Sequence, residues 1–165
     1  MQVDTYRDTL AQQLRDPERL RAVRSVQEDE QWRTRARTIA YLAAQMLKTD
    51  IAEVNLVTDS EMHCIASADG DERSVAVERS YCQHVVGTGE AVVVYESREH
   101  ALVRDSPTAE RLHCYLGIPL THRGQVLGAL CVAGSEPRDW TELEVMLLTE
   151  LTEALLAEAG WISRV

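Results

Sequence analysis

The chain has 165 residues, which is enough for one domain that buries most of its apolar surface. Hydrophobic residues make up 45% of it and charged residues 27%, so the composition argues against global disorder. The net charge of −10 argues against a nucleic-acid binder, which needs a basic face. Neither a signal peptide nor a bilayer-spanning run is visible. We therefore expect a cytoplasmic protein, without a membrane partner, whose four cysteines are reduced.

The first 48 residues contain no glycine and only one proline, a composition typical of helices. Asp16-Pro17 is a helix start, because Asp caps free N–H groups and Pro is tolerated at the first helical position. A short helix is predicted before it, a second from Pro17 to about Gln27, and a third from about Asp29 to Leu47. The third helix should bury one apolar stripe. Its members are Trp32, Ala36, Ile39, Ala43, Met46 and Leu47.

The pattern changes to strands after the third helix. Residues 51–58 and 62–68 predict two paired strands, followed by the turn-forming sequence Asp69-Gly70-Asp71. Ser80 and Gln83 have the spacing of a capping box at the start of a short helix. That helix should end at Gly87 or Gly89, where a left-handed residue is tolerated.

The second half of the chain predicts three more strands and a long helix. Residues 91–95 form an apolar strand, residues 96–112 are irregular with one turn beginning at Ser106-Pro107, and residues 113–121 and 125–133 form a hairpin. Thr141 and Glu144 form a second capping box, which starts a helix that runs to about Ala159. Its apolar face should comprise Leu143, Met146, Leu147, Leu151 and Leu155. The expected fold class is α/β (α+β), a central antiparallel sheet of five to six strands with helices packed on it.

Cysteine and histidine spacing does not favour a metal site. His63-Cys64 and His113-Cys114 are adjacent within predicted strands, where successive side chains point to opposite faces. Cys82 and His84 lie two apart on a predicted helix and do not face each other. We expect no metal and no cofactor.

Three stretches, read in order, resemble a GAF domain of bacterial signalling proteins. They are residues 80–90 (SYCQHVVGTGE), 115–120 (YLGIPL) and 124–132 (GQVLGALCV), and the resemblance covers about residues 35–158. It implies a GAF-like domain at residues 29–160, preceded by an N-terminal helical extension at residues 1–28. It also implies a ligand-binding or protein-interaction fold that often dimerises through its terminal helices.

The resemblance implies a pocket between the sheet and an overlying layer formed by residues 81–86 and 95–112. By the period of two along the strand, Tyr115 shares a face with Gly117 and Pro119, opposite Cys114, Leu116 and Ile118. The candidate ligand-binding residues are Tyr81, Cys82, His84, Arg104, Arg111 and Tyr115. The alternative for each is structural: Tyr115 and Cys82 would be core, and Arg104 and Arg111 solvated.

The main functional hypothesis is a non-enzymatic sensor that binds a small molecule and signals through its terminal helices. One alternative is a dimeric interaction module with a vestigial pocket, which docks a kinase, a phosphatase or a transcription regulator. A further alternative is a relative of free methionine sulfoxide reductase, whose first cysteine would match Cys82. Its catalytic cysteine should lie near residues 105–110, where this sequence has none.

Charge on the helices suggests a homodimer. The N-terminal helices carry arginines and the last helix carries glutamates, so side-by-side packing would place opposite charges along the rim of an apolar seam. The alternative is that these helices pack on the sheet of a single protomer. The seam residues would be Ile39, Met46, Leu147 and Leu151, and the arginines at the rim are Arg15, Arg19, Arg21, Arg24, Arg33, Arg35 and Arg37.

Overall fold

A computed structural model describes residues 3–158 as helices on both sides of one sheet. The helices are α1 (Val3–Arg15), α2 (Pro17–Gln27), α3 (Glu30–Leu47), α4 (Cys82–Thr88) and α5 (Glu142–Glu158). The strands are β1 (Ile51–Val57), β2 (Glu61–Ser67), β3 (Ser74–Ala76), β4 (Val92–Val94), β5 (Cys114–His122) and β6 (Gln125–Gly134). The predicted helix end at Ala159 and the predicted domain boundary at residue 160 lie outside the described residues.

The six strands form one antiparallel sheet in the order β3-β2-β1-β6-β5-β4. This confirms the predicted fold class, with the predicted strand boundaries displaced by at most one residue. Strand β3 was not predicted, because it has only three residues and its sequence shows no apolar alternation.

Alternation along the strands gives the sheet two different faces. The packed face carries Ala52, Val54 and Leu56 of β1 and is covered by α2, α3 and α5. The opposite face, called here the cavity face, is covered by α1, α4 and the irregular segment between β4 and β5. On β5, Leu116 joins the packed face and Tyr115 the cavity face, so the predicted period of two is confirmed.

Hydrogen bonds confirm the predicted start signals of α2 and α5, and they also show a cap at the start of α3. The carboxylate of Asp16 accepts from the backbone N–H of Glu18, and that of Asp29 accepts from Trp32. At α5 the two halves of the capping box are both made: Glu144 N–H donates to the Thr141 hydroxyl, and Thr141 N–H donates to the Glu144 carboxylate.

Two predicted helix faces are partly wrong. In α3, Met46 is 47% exposed, whereas Ala40 and Ala44 are buried in its place. In α5, Leu143 and Met146 are 60% and 57% exposed. The buried face of α5 consists of Leu148, Thr152, Leu155 and Leu156. The helix is apolar over more than one face, so spacing alone did not identify the face that meets the sheet.

The N-terminal helices pack against the rest of the chain, and Arg19 on α2 is fully buried. Its guanidinium donates to the carbonyls of Gln13 and Leu14 at the end of α1 and to that of Val57 at the end of β1, at 2.6–3.0 Å. Burial lowers the pKa of Arg19 to about 10. The expectation of Arg19 as an exposed rim charge was therefore wrong, because it joins α1, α2 and the sheet.

Two other arginines of the predicted rim also have partners within the chain. Arg33 and Arg37 of α3 bind the carboxylate of Glu72 at 3.2 and 2.7 Å. None of the helices within residues 3–158 combines the length and the hydropathy of a transmembrane span.

Candidate functional site

A cavity of about 210 Å³ lies on the cavity face, between the sheet and the segments that cover it. Its floor is formed by strand residues of alternate positions, and its cover by residues before α4 and by the segment that precedes β5. The residues that line it are Ile51, Glu53, Asn55, Met62, Arg73, Val75, Arg79, Ser80, Tyr81, Cys82, Thr108, Arg111, Leu112, Tyr115, Cys131, Ala133 and Ser135.

Strand β1 supplies the two most polar groups of the floor. Glu53 and Asn55 are 6% and 1% exposed, and they alternate with Ala52, Val54 and Leu56 of the packed face. The register of β1 with β2 shifts between Val54 and Asn55, so a bulge adjusts the strand beside Asn55.

Close packing of β6 against β1 holds this part of the floor in place. A Cβ at Gly128 would lie 1.9 Å from the carbonyl oxygen of Asn55. The backbones can therefore approach only because this position has no side chain.

Four side chains of the floor and cover form a buried cluster around two sulfur atoms. Cys82 Sγ lies 4.0 Å from Cys131 Sγ, and the Tyr115 hydroxyl donates to Cys82 Sγ at 3.1 Å. The amide nitrogen of Asn55 donates to Glu53 at 3.1 Å and also approaches both sulfurs, at 3.5 Å for Cys82 and 3.4 Å for Cys131. The amide oxygen of Asn55 is buried and has no hydrogen-bond partner within the described part of the chain.

These contacts shift the ionisation of the cluster. The hydrogen-bond contact with Cys131 lowers the pKa of the Cys82 thiol; burial opposes this effect, and the donors of Tyr115 and Asn55 add to it. The same Sγ–Sγ contact, with burial, raises the pKa of Cys131. Burial raises the pKa of the Glu53 carboxyl, against the opposing effects of Asn55 and Arg73. Cys82 is therefore the more acidic of the two thiols.

Two hydrogen bonds connect the two segments that cover the cavity. The Thr108 hydroxyl donates to the carbonyl of Arg79 at 2.8 Å, and the Tyr81 hydroxyl donates to the carbonyl of Leu112 at 3.1 Å. The Tyr81 ring also meets the Tyr115 ring edge-to-face, with centroids 5.5 Å apart. The exposed residues Arg79 and Arg111, with Thr108, form what we call the mouth of the cavity.

Four of the six predicted site residues meet at this cavity. Tyr81, Cys82 and Tyr115 are at most 3% exposed and line its inner part, while Arg111 lies at the mouth. The ligand-binding and structural interpretations of Tyr115 and Cys82 are therefore compatible, since both residues are core and both line the cavity.

The remaining two, His84 and Arg104, are not among the lining residues. Arg104 is exposed in the turn before Pro107. His84 faces α1, where its Nδ1 lies 2.7 Å from the Tyr6 hydroxyl and its ring stacks on that of Tyr6. Burial lowers the pKa of His84 to about 4, with a smaller effect from His100. Gly87 permits this docking, because a Cβ there would lie 2.8 Å from Leu10.

Glu53, Asn55 and Cys131 were missed from the sequence. The signal for the first two was present: two polar residues at alternate positions within the apolar strand 51–57 indicate a polar patch on one face. Cys131 gave no local signal, because its importance comes from Cys82, which is 49 residues away in the chain.

Within residues 3–158, no three His, Cys, Asp or Glu side chains are grouped so as to hold a metal ion. The groups that a molecule in the cavity can contact are hydrogen-bonding and charged side chains, apolar side chains and the two thiols.

Comparison with solved structures gives GAF folds at low identity. The GAF domain from Acinetobacter phosphoenolpyruvate-protein phosphotransferase is 19% identical with a TM-score of 0.63, over 100% of this chain and 99% of that one. Free methionine-R-sulfoxide reductase from Neisseria meningitidis, in complex with its substrate, is 18% identical with a TM-score of 0.66, over 94% and 88%. The blue-light absorbing form of the Thermosynechococcus elongatus PixJ GAF domain is 15% identical with a TM-score of 0.62, over 79% and 88%.

A search of curated protein sequences gave no match. The family model of the GAF domain matches residues 31–157, which include the whole sheet, α4 and nearly all of α3 and α5. The sheet order, the cavity and this match lead to one conclusion: the chain belongs to the GAF domain family.

Proposed function

We propose that this protein is a non-enzymatic sensor, which binds a small organic molecule in the cavity and signals through its N-terminal helix. The observation that carries the proposal is the cavity itself, whose floor includes Asn55, a residue with a buried amide oxygen that has no hydrogen-bond partner among the described residues. A buried acceptor without a partner costs about 1–3 kcal/mol. A ligand that donates a hydrogen bond to it would recover that free energy, and most of the other lining side chains are apolar or aromatic, as in small-molecule sites.

The short helix α4 supports the signalling part of the proposal. Cys82 in its first turn lines the cavity, and His84 contacts Tyr6 of α1. A ligand that displaces the Cys82 end of α4 would therefore change the surface on which α1 docks. The ligand can change the docking of α1 only if it binds α4 more tightly in the displaced position than in the original one. The difference between these two binding free energies sets the size of the change.

A fragment screen by ligand-observed NMR tests the binding site. We expect small organic fragments to bind the wild-type protein and to lose binding in Ala133→Leu, which places a larger side chain on the cavity wall. Ala91→Leu is the matched control, because Ala91 is exposed outside the cavity. Should Ala133→Leu not fold, Cys131→Met fills the cavity from the same strand. Fragments that bind both filled variants as well as the wild type would refute the proposed site.

The second candidate function, a dimeric interaction module, is favoured by an exposed apolar stripe on two helices that pack together. Leu42 and Met46 of α3 are 39% and 47% exposed, and Leu143 and Met146 of α5 are 60% and 57% exposed. Sedimentation of the wild type and of Met46→Glu/Met146→Glu tests it. A wild-type dimer that the double substitution converts to monomer would establish this interface, and the exposed Gln45→Glu variant controls for added charge.

The paired thiols motivate the third candidate, a thiol-dependent reductase. We expect no reduction of free methionine sulfoxide in the presence of a dithiol reductant, because residues 105–110 contain no cysteine. Turnover by the wild type that disappears in Cys82→Ser would overturn the non-enzymatic proposal.

A further inference from the structure

The charge of the cavity lining is opposite to that of the protein. The chain carries a net charge of −10, yet the ionisable side chains that line the cavity include three arginines and one carboxylate. Arg73 is engaged, since it lies 3.6 Å from Glu53 and 2.9 Å from Asp71. The mouth therefore gains its positive charge from the two other arginines, Arg79 and Arg111.

Neither arginine of the mouth has an acidic partner within residues 3–158. Among the described residues, the guanidinium groups of Arg79 and Arg111 have no carboxylate within ion-pair distance and no side-chain hydrogen bond. The donors of both guanidinium groups therefore remain available at the mouth. A guanidinium presents a fork of donors that matches the paired oxygens of a carboxylate or phosphate.

The floor has the opposite preference. Asn55 and Glu53 both line it, and the amide oxygen of Asn55 is an acceptor without a partner among the described residues. The amide nitrogen of Asn55 already donates to Glu53, so the pair offers acceptors rather than donors to the cavity. A ligand group that reaches this point must donate a hydrogen bond.

Cavity size and walls limit the rest of the ligand. A volume of about 210 Å³ corresponds to roughly seven water molecules at ~30 Å³ each, or a molecule of about seven to ten non-hydrogen atoms. Ile51, Val75 and Leu112 line the cavity together with Met62 and Ala133, so the middle of the ligand is apolar.

We propose that the ligand is a small organic anion, a carboxylate or phosphate monoester, with a hydrogen-bond donor at its other end. Arg79 and Arg111 hold the anionic group at the mouth, and Asn55 with Glu53 accepts from the donor at the floor. This inference rests on the proposed function, because it assigns a ligand class to the same cavity.

Matched series of compounds test whether the ligand needs an anionic group at one end and a hydrogen-bond donor at the other. Each series keeps one short apolar skeleton and varies its ends: the acid, the corresponding amide, the phosphate monoester, and the acid with or without a hydroxyl or amino group. Several skeletons are used, and affinity is measured by titration calorimetry at low and high salt. We expect the anions to bind about tenfold or more tighter than the amides, and added donors to improve affinity further. Salt should weaken the anions most.

Protein variants assign the effect to the mouth. Arg79→Gln and Arg111→Gln should each lower the affinity for anions by about tenfold or more and leave the amides nearly unchanged. Arg104→Gln is the matched control, since Arg104 is exposed in the same segment but does not line the cavity.

The outcomes separate this inference from the proposed function. Anion preference that is lost in the two mouth variants and kept in Arg104→Gln supports it, and the comparison of carboxylate with phosphate identifies the anionic group. Compounds that bind in the cavity with equal affinity for acid and amide, or without dependence on Arg79 and Arg111, overturn the ligand class and leave the sensor proposal standing. Fragments and series that bind nowhere in the cavity overturn both.

Discussion

The two faces of the sheet differ in how completely their groups are satisfied. On the packed face, apolar side chains of β1, β5 and β6 meet α2, α3 and α5 in one apolar cluster. On the cavity face, the same strands present Glu53, Asn55, Tyr115 and Cys131 to a space of about 210 Å³, and one buried acceptor remains unpaired. Adjacent residues of one strand thus contribute to the apolar core on one side and to the proposed binding site on the other.

On the cavity face the chain departs from close packing. Protein interiors normally fill their space and pair their buried polar groups. A cavity with an unpaired amide and two sulfurs in contact is less stable than an apolar filling of the same volume would be. Such a departure is expected at functional sites, and this one lies on the face that carries the predicted pocket.

Truncation of the packed face should give the largest loss of stability. Leu116 is fully buried on β5, so Leu116→Ala should lower the free energy of unfolding by about 2–5 kcal/mol through lost burial and a new cavity. Urea denaturation measures the change. If Leu116→Ala lowers the free energy of unfolding by less than Tyr115→Phe does at the neighbouring residue, the two faces do not differ in stability as described.

Acid should destabilise the cavity side through His84. The pKa of His84 is about 4 in the folded protein, below its ordinary value of 6.5, so the unfolded chain binds more protons between these values. Stability should therefore fall as the pH drops from 6.5 towards 4, by at most about 3 kcal/mol. His84→Gln should flatten the pH dependence of the free energy of unfolding.

The lowered pKa values of His100 and His122 act in the same direction, so part of the slope should remain in that variant. An unchanged slope in His84→Gln would show that His84 is not excluded from water by α1.

Removal of one hydroxyl from the cavity floor should have a moderate effect. Tyr115→Phe deletes the donor to Cys82, at a cost of about 0.5–1.5 kcal/mol in the free energy of unfolding. The control is Tyr41→Phe, because Tyr41 is 55% exposed on α3 and should tolerate the change. Equal urea midpoints for the two variants would mean that the contact of Tyr115 with Cys82 adds nothing to stability.

The mouth should contribute least to stability. Arg79 and Arg111 are exposed and have no acidic partner among the described residues, so Arg79→Gln and Arg111→Gln should each change the free energy of unfolding by less than about 0.5 kcal/mol. Thermal unfolding of both variants checks this. A larger destabilisation would assign these arginines a structural role.

Local signals were sufficient for most of the fold. Thr141 with Glu144 and Asp16 with Pro17 start their helices through contacts within a few residues, which spacing reveals directly. Alternation also separated Tyr115 from Leu116 correctly. The position of the cavity, by contrast, was predicted through the resemblance to the GAF family.

Features that depend on distant parts of the chain were not predictable in the same way. An arginine at position 19 in a charged helix indicates an exposed residue, and only the meeting of α1 with the end of β1 explains its burial. Likewise Cys131 approaches Cys82 because β6 and α4 pack together. Leu143 and Met146 were assigned to the buried face because α5 has more apolar residues than one face needs.

Methionine methyl NMR can show whether a small organic anion binds in the cavity, because one spectrum reports on both the cavity and the exposed stripe of α3 and α5. Met62 lines the cavity, whereas Met46 and Met146 lie exposed on α3 and α5. On addition of small organic anions, the account predicts that the Met62 methyl signal shifts in a saturable manner while those of Met46 and Met146 stay unchanged. Shifts confined to Met46 and Met146, or no shift of Met62 with any compound, would contradict a ligand site on the cavity face.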